Sequence, residues 1–214
     1  NISKIEHGDT KLKYGNDFTF DRCMGSEDTA EKVVDLFMKE YAEANYDLSK
    51  VQILSPFKKE GIAAGATELN KKIQAIINPL KKGKLEYKRH GYVFREGDKV
   101  IQTANTKEVS NGDMGIIKSI TSDKKVIINF ADQTLEYEGT DMDHVDLAYA
   151  ISIHKFQGSE CKTVIMPIIK AFYIMLRRNL IYTGITRGKQ KVALVGEPQA
   201  LAMAINNNDV DKRN

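Results

Sequence analysis

The sequence predicts an α/β protein: a mostly parallel sheet flanked by helices, with a small antiparallel β-barrel inserted in it. Three observations lead there. Apolar strands alternate with amphipathic helices up to about residue 80 and again after residue 146. Between these stretches lie only short runs rich in Val, Ile and aromatic residues, separated by turn compositions. A chain of 214 residues is also long enough for one α/β domain carrying an inserted module.

The elements follow in order. "AEKVVDLFMKEYAEA" places Val33, Val34, Phe37, Met38 and Tyr41 at helical spacing, with Glu27, Asp28 and Glu31 near the positive N-terminal end. "VQILSP" is a short buried strand stopped by Pro56. "TELNKKIQAIINP" is a second helix, with Leu69, Ile73, Ile76 and Ile77 on one face, ended by Pro79. The pattern then changes. "DKVIQTAN", "MGIIKSI", "KKVIINF" and "QTLEYEG" read as strands joined at "SNGD", "TSDK" and "ADQ", and form the barrel over residues 84–146. The earlier pattern resumes with strands "LAYAISI" and "KTVIMPII", helix "FYIMLRRNLIYTGI", strand "KVALVG" and helix "PQALAMAI", before the polar tail "NNNDVDKRN". Residues 1–83 and 147–214 thus make the sheet domain, its strands joined by right-handed crossovers.

Composition excludes some functions. No apolar stretch approaches the roughly 20 residues of a membrane span, so a membrane protein is not expected. Cys23 and Cys161 fit no disulfide or metal framework and the N-terminus has no leader pattern, so a reducing cytoplasm is the expected location. The net charge of +3 says little, but its distribution says more. Residues 16–47 hold nine acids against three basic residues, and residues 81–95 hold six basic residues against one acid. Between Glu160 and Glu197 there is no acid, while Lys162, Lys170, Arg177, Arg178, Arg187, Lys189 and Lys191 lie there. A one-sign stretch of this kind attracts phosphates, and is equally what a solvated face looks like. The barrel's end, "DQTLEYEGTDMDHVD", has no lysine or arginine and is a poor surface for a phosphate backbone.

Two stretches carry chemistry. "HKFQGSE", residues 154–160, follows the apolar run "LAYAISI", and ligands of open α/β sheets collect beyond the carboxyl ends of strands. There Gly158 lets a backbone approach a ligand, Glu160 can accept from ribose hydroxyls, and His154 and Lys155 can meet phosphates. Taken singly, these are also a satisfied structural histidine and an ordinary turn. "NLIYTGITRGK" ends a helix by presenting Thr186, Arg187 and Lys189, which can deliver a planar guanidinium to a phosphate or merely complement the helix dipole.

In this order, one strand and one helix apart, the two stretches resemble motifs V and VI of RecD-like helicases in the UvrD-related superfamily 1. "VQILSPFKKEGIAAGATELNKKIQAIINP" is similar to that family's LSP, LN and NP segment, and "FREGDKVIQTAN" with "VSNGDMGII" to its inserted barrel. The resemblance implies a second RecA-like motor domain bearing the barrel called 2B. It implies that Ser152 and His154, with Lys155 and Gln157, face single-stranded DNA, that Gly158 and Glu160 line the nucleotide cleft, and that Arg187 is an arginine finger on the γ-phosphate of ATP. Phe156 stands where the family commonly has serine, Cys161 where an aromatic is frequent, and Gly184 and Gly188 where alanines are common.

No G-x-x-x-x-G-K-[ST] loop occurs, and no apolar strand ends in an acidic pair suited to Mg²⁺. The resemblance puts both in an N-terminal motor domain upstream, in keeping with the abrupt start at Asn1, and implies 5′→3′ movement and, in some relatives, nuclease–helicase partner subunits. Two functions follow for the chain: half of an ATP-dependent DNA motor, or a non-catalytic module that binds nucleic acid or protein.

Overall fold

The computed structural model describes residues 1–58 and 60–208; the end of the polar tail, from residue 209, lies outside the described residues. In chain order the regular elements are α1 (Ile2–Glu6), β1 (Phe18–Arg22), α2 (Gly25–Glu43), β2 (Val51–Ser55) and α3 (Ala66–Ile77). There follow β3 (Glu86–Arg89), β4 (Tyr92–Arg95), β5 (Lys99–Gln102), β6 (Met114–Ile120), β7 (Val126–Phe130), β8 (Thr134–Tyr137) and β9 (Val145–Leu147). The chain closes with β10 (Ala150–Ser152), β11 (Cys161–Ile168), α4 (Arg178–Ile185), β12 (Gly188–Gly196) and α5 (Pro198–Asn206). Two compact units result, one from Asn1–Leu69 with Ala150–Asn214, the other from Asn70–Tyr149.

The first unit is built on a parallel sheet in the order β1-β12-β11-β2-β10. β2 is buried at all five positions, as expected of an inner strand covered on both faces. α2 starts where the Asp28 carboxylate accepts the Met24 N–H at 2.8 Å, and it buries Ala30, Val33, Val34 and Phe37. Pro167 lies within β11 but beyond Ile165, the last residue paired with β2, so its missing N–H costs that ladder nothing.

The second unit is the expected small antiparallel module. It is a five-stranded sheet in the order β8-β7-β6-β5-β9 and a separate hairpin, β3–β4. β4 packs on β6 and β9, so the hairpin folds across the sheet as in a small barrel.

Three local readings need correction. "LAYAISI" is not one strand. β9 pairs antiparallel with β5, and β10 pairs parallel with β2, in different sheets. The break falls at Ala148, whose N–H goes to the Lys99 carbonyl, and at Tyr149, whose hydroxyl donates to Asp98. "FYIMLRRNLIYTGI" is not one helix either: a 3-10 turn, Lys170–Met175, stops at Leu176, Arg177 is extended, and α4 starts at Arg178, whose N–H donates to the Asn207 carbonyl. In α3, Leu69 and Ile73 are buried but Ile76 is 51% exposed, because polar residues take the rest of the buried face.

Candidate functional site

The stretch "HKFQGSE" spans the sheet rather than sitting at one end of it. Ser152 closes β10 level with Ser55, the last residue of β2, and so stands at the carboxyl edge. The chain then forms a 3-10 turn, Ile153–Phe156, and enters β11 at Cys161. Since Thr163 is level with Val51, the first residue of β2, Cys161 lies before β2 begins, at the amino edge. A crossover between parallel strands has to bring the chain back in this way. The carboxyl-edge placement expected for the whole stretch therefore holds for His154 and Lys155, while Gly158 and Glu160 have returned to the amino edge. Exposed Gln157 lies between.

The turn is pinned by Ile153 and Phe156, both buried, which leaves His154 exposed and Lys155 half-buried. Phe156 is thus a core residue where the family commonly has serine. Gly158 has φ +86, which favours glycine, and nothing lies within 4 Å of the place a Cβ would take. Backbone there is open to a ligand.

Arg187 joins this segment from the other side. It lies between α4 and β12, and its carbonyl accepts the Cys161 N–H at 3.0 Å. Its guanidinium donates through Nη1 to the Ser159 carbonyl (3.2 Å), through Nε to the Thr183 carbonyl (3.2 Å) and through Nη2 to Thr186 Oγ1 (3.1 Å). These bonds use three of the five N–H groups of a guanidinium that stays half-buried. Beside it Glu160 Oε2 and Lys189 Nζ lie 3.2 Å apart, with side chains 52% and 60% exposed. So solvated a pair is worth little and yields easily to another partner. Gly184, where the family favours alanine, lies against the turn: a Cβ there would be 2.7 Å from Met166 Sδ and 3.2 Å from Ile153 Cδ1.

The structure therefore brings Gly158, Glu160 and Arg187 to one edge, and Ser152, His154 and Lys155 to the other. Sequence reasoning missed the Ser159 carbonyl as the link between the two stretches, and the Glu160–Lys189 pair. The available signal was that both stretches lead into strands, which here are adjacent. It also missed the rim of the carboxyl edge, where Phe57 stacks on Phe172 at 5.7 Å and the Ser55 hydroxyl donates to the Ala64 carbonyl at 3.2 Å. No group of three or more His, Cys, Asp or Glu suited to a metal ion occurs among the described residues.

Comparison with known proteins defines the class. Residues 69–130 match the family model of the ATP-dependent RecD-like DNA helicase SH3 domain, and residues 147–195 that of the UvrD-like helicase C-terminal domain. The second match contains every candidate residue. Over these residues the chain is similar to RecD-like and UvrD-like DNA helicases. The ATP-dependent RecD2 DNA helicase of Deinococcus radiodurans is 32% identical over 72% of this chain and 21% of its own length. The RecBCD enzyme subunit RecD of Mycobacterium tuberculosis is 32% identical over 51% of this chain and 19% of its own length. The RecD subunit of Haemophilus influenzae is 27% identical over 77% of this chain and 24% of its own length. The chain thus spans about a fifth of the length of these relatives. Among solved structures, Bacteroides Pif1 bound to single-stranded DNA aligns with a TM-score of 0.47 and 14% identity, covering 79% of this chain and 49% of that one.

Proposed function

We propose that this chain supplies the second motor lobe of an ATP-dependent DNA helicase. In this reading ATP with Mg²⁺ is held by a separate N-terminal motor domain, and the amino edge of the parallel sheet closes over it. Arg187 turns its unused N–H groups to the γ-phosphate and neutralises charge developing there. Glu160 exchanges Lys189 for a ribose hydroxyl, and Gly158 lets its backbone come close. At the carboxyl edge Ser152, His154, Lys155 and Gln157 meet single-stranded DNA. Segment 153–160 runs from one edge to the other, and Arg187 stays bonded to the Ser159 carbonyl, so a shift of the guanidinium toward the phosphate pulls on the turn that carries His154. That is a physical route from nucleotide state to DNA contact.

The observation that supports this reading best is the guanidinium itself, positioned by three acceptors and still half open. The same bonds favour a second reading, in which Arg187 only ties the loop to the end of α4. Kinetics on the complete gene product decides. Arg187→Ala lowers DNA-stimulated ATPase by about 10³–10⁵, and Arg187→Lys does not restore it because an ammonium lacks the planar fork. Affinity for single-stranded DNA is retained in both. Near-normal ATPase in Arg187→Ala gives the site to the second reading.

A further inference from the structure

We propose that the groove between β1 and α5 is a stacking site for one base of a single-stranded nucleic acid, with Arg22 on the adjoining phosphate. This rests on the reading that the parallel-sheet unit carries DNA, and adds a contact on the far side of the sheet from His154.

The groove is a cavity of about 280 Å³, lined by Tyr14, Phe20, Arg22, Thr10, Leu201 and Ile205 among others. Tyr14 is 52% exposed although its ring stacks on Phe18 at 5.6 Å and meets Phe20 edge-on at 6.1 Å. A large aromatic ring held against others and still half open is a platform for a further ring. Side chains alternate along a strand, so Phe18, Phe20 and Arg22 share one face of β1, and Thr19 and Asp21 the other. Asp21 accordingly pairs with Lys32 of α2 at 3.8 Å, away from the groove. The groove is thus lined by a cation and no acid, and among the described residues no carboxylate forms a salt bridge with exposed Arg22. An aromatic platform with an unpaired guanidinium at its rim fits a base and its phosphate better than an apolar peptide.

Position agrees with this occupant. Arg22 is level with Gly196, the last residue of β12, and so lies at the carboxyl edge, as Ser152 does. β1 and β10 are the outer strands of the sheet, four intervals apart, or about 19 Å at the usual strand spacing. Single-stranded nucleic acid laid along this edge from His154 reaches Arg22.

The test uses the 214-residue chain and oligothymidines of two lengths, about 4 and about 12 nucleotides, by fluorescence anisotropy, with photocrosslinking from 5-iodo-deoxyuridine. The longer oligonucleotide should crosslink to Tyr14 or Phe20. Tyr14→Ala and Arg22→Gln should each weaken it about five- to tenfold, Tyr14→Phe should not, and the short one should be indifferent. Arg22→Gln keeps the test sound if Tyr14→Ala fails to fold. Full affinity in Tyr14→Ala and Arg22→Gln, with His154→Ala weakened, overturns the groove site and leaves the DNA reading intact. If the unaltered chain binds neither oligonucleotide, both fall. Self-association lost in Tyr14→Ala with DNA affinity unchanged gives the groove to a second copy and also overturns the proposal.

Discussion

Asp98 in the antiparallel unit and Arg187 in the parallel-sheet unit are both charged side chains fixed by several hydrogen bonds, in opposite ways. Asp98 is 0% exposed and accepts from Gln74 Nε2 (2.7 Å), Asn78 Nδ2 (2.6 Å), the Tyr149 hydroxyl (2.7 Å) and the Arg95 N–H (2.7 Å). A carboxylate has about four lone-pair sites, so nothing is left for a ligand. Burial raises its pKa above the usual aspartate value, against the pull of those four donors. Arg187 keeps donors in reserve and a face toward solvent. A sealed, saturated group specifies a fold, whereas an open one with donors left is equipped to act.

The largest effect that sharpens this contrast is on stability. Asp98→Ala leaves three side-chain donors and one backbone N–H buried without an acceptor, and should cost about 3 kcal/mol or more in urea denaturation. Asp98→Asn should not restore it, since its amide N–H₂ faces other donors. Arg187→Ala, half-buried and with water at hand for its partners, should cost less than about 1 kcal/mol. Equal losses in the two variants would erase the distinction between them.

The same contrast explains what the sequence disclosed. "VQILS" was legible as an inner strand because it is apolar throughout and its environment on both faces is alike. "LAYAISI" was not legible as two strands, because what divides it is a bond from Tyr149 to Asp98, 51 residues away. In α3 the apolar spacing pointed to Ile76, but Asn70, Gln74 and Asn78, at i, i+4 and i+8, are buried instead. Gln74 and Asn78 reach Asp98, and Asn70 Nδ2 donates to the Leu147 carbonyl at 3.1 Å. A buried polar stripe looks like a surface until its distant acceptors are known. β1 escaped notice as a half-buried edge strand. At the candidate site the residue types and their order were legible, but which edge each residue occupies depends on strand register, which local composition does not encode.

A smaller effect is expected at Gly184. Alanine in a helix gains about 1 kcal/mol over glycine, which should roughly offset the squeeze on Met166 and Ile153. Thermal unfolding of Gly184→Ala should therefore move little. Because Ile153 anchors the turn that carries His154, affinity for oligothymidine should change more than stability does. A large fall in melting temperature with unchanged affinity would make α4 packing, rather than the turn, the sensitive element.

The smallest expected effect lies in the acid limb of stability, where two aspartates of the antiparallel unit pull in opposite directions. Asp143 sits beside Arg89 Nε and 2.6 Å from His90 Nε2, and these partners, Arg89 foremost, hold its pKa down to about 2. A depressed folded pKa gives a contribution that is present above the usual aspartate value and is lost as pH falls through about 2. Asp98 has the opposite sign: its raised pKa favours the folded state most at low pH, and that advantage fades as pH rises through the raised value. Between pH 5 and 2, therefore, Asp143 works toward unfolding and Asp98 against it. Asp143→Asn should make the urea midpoint less dependent on pH over that range. About 1 M salt should do part of the same to the unaltered chain, since the Asp143 pair is partly solvated and screened, whereas the sealed Asp98 is not. An acid limb as steep in Asp143→Asn as in the unaltered chain would assign the loss to other carboxylates and leave the exposed pair without a part in stability.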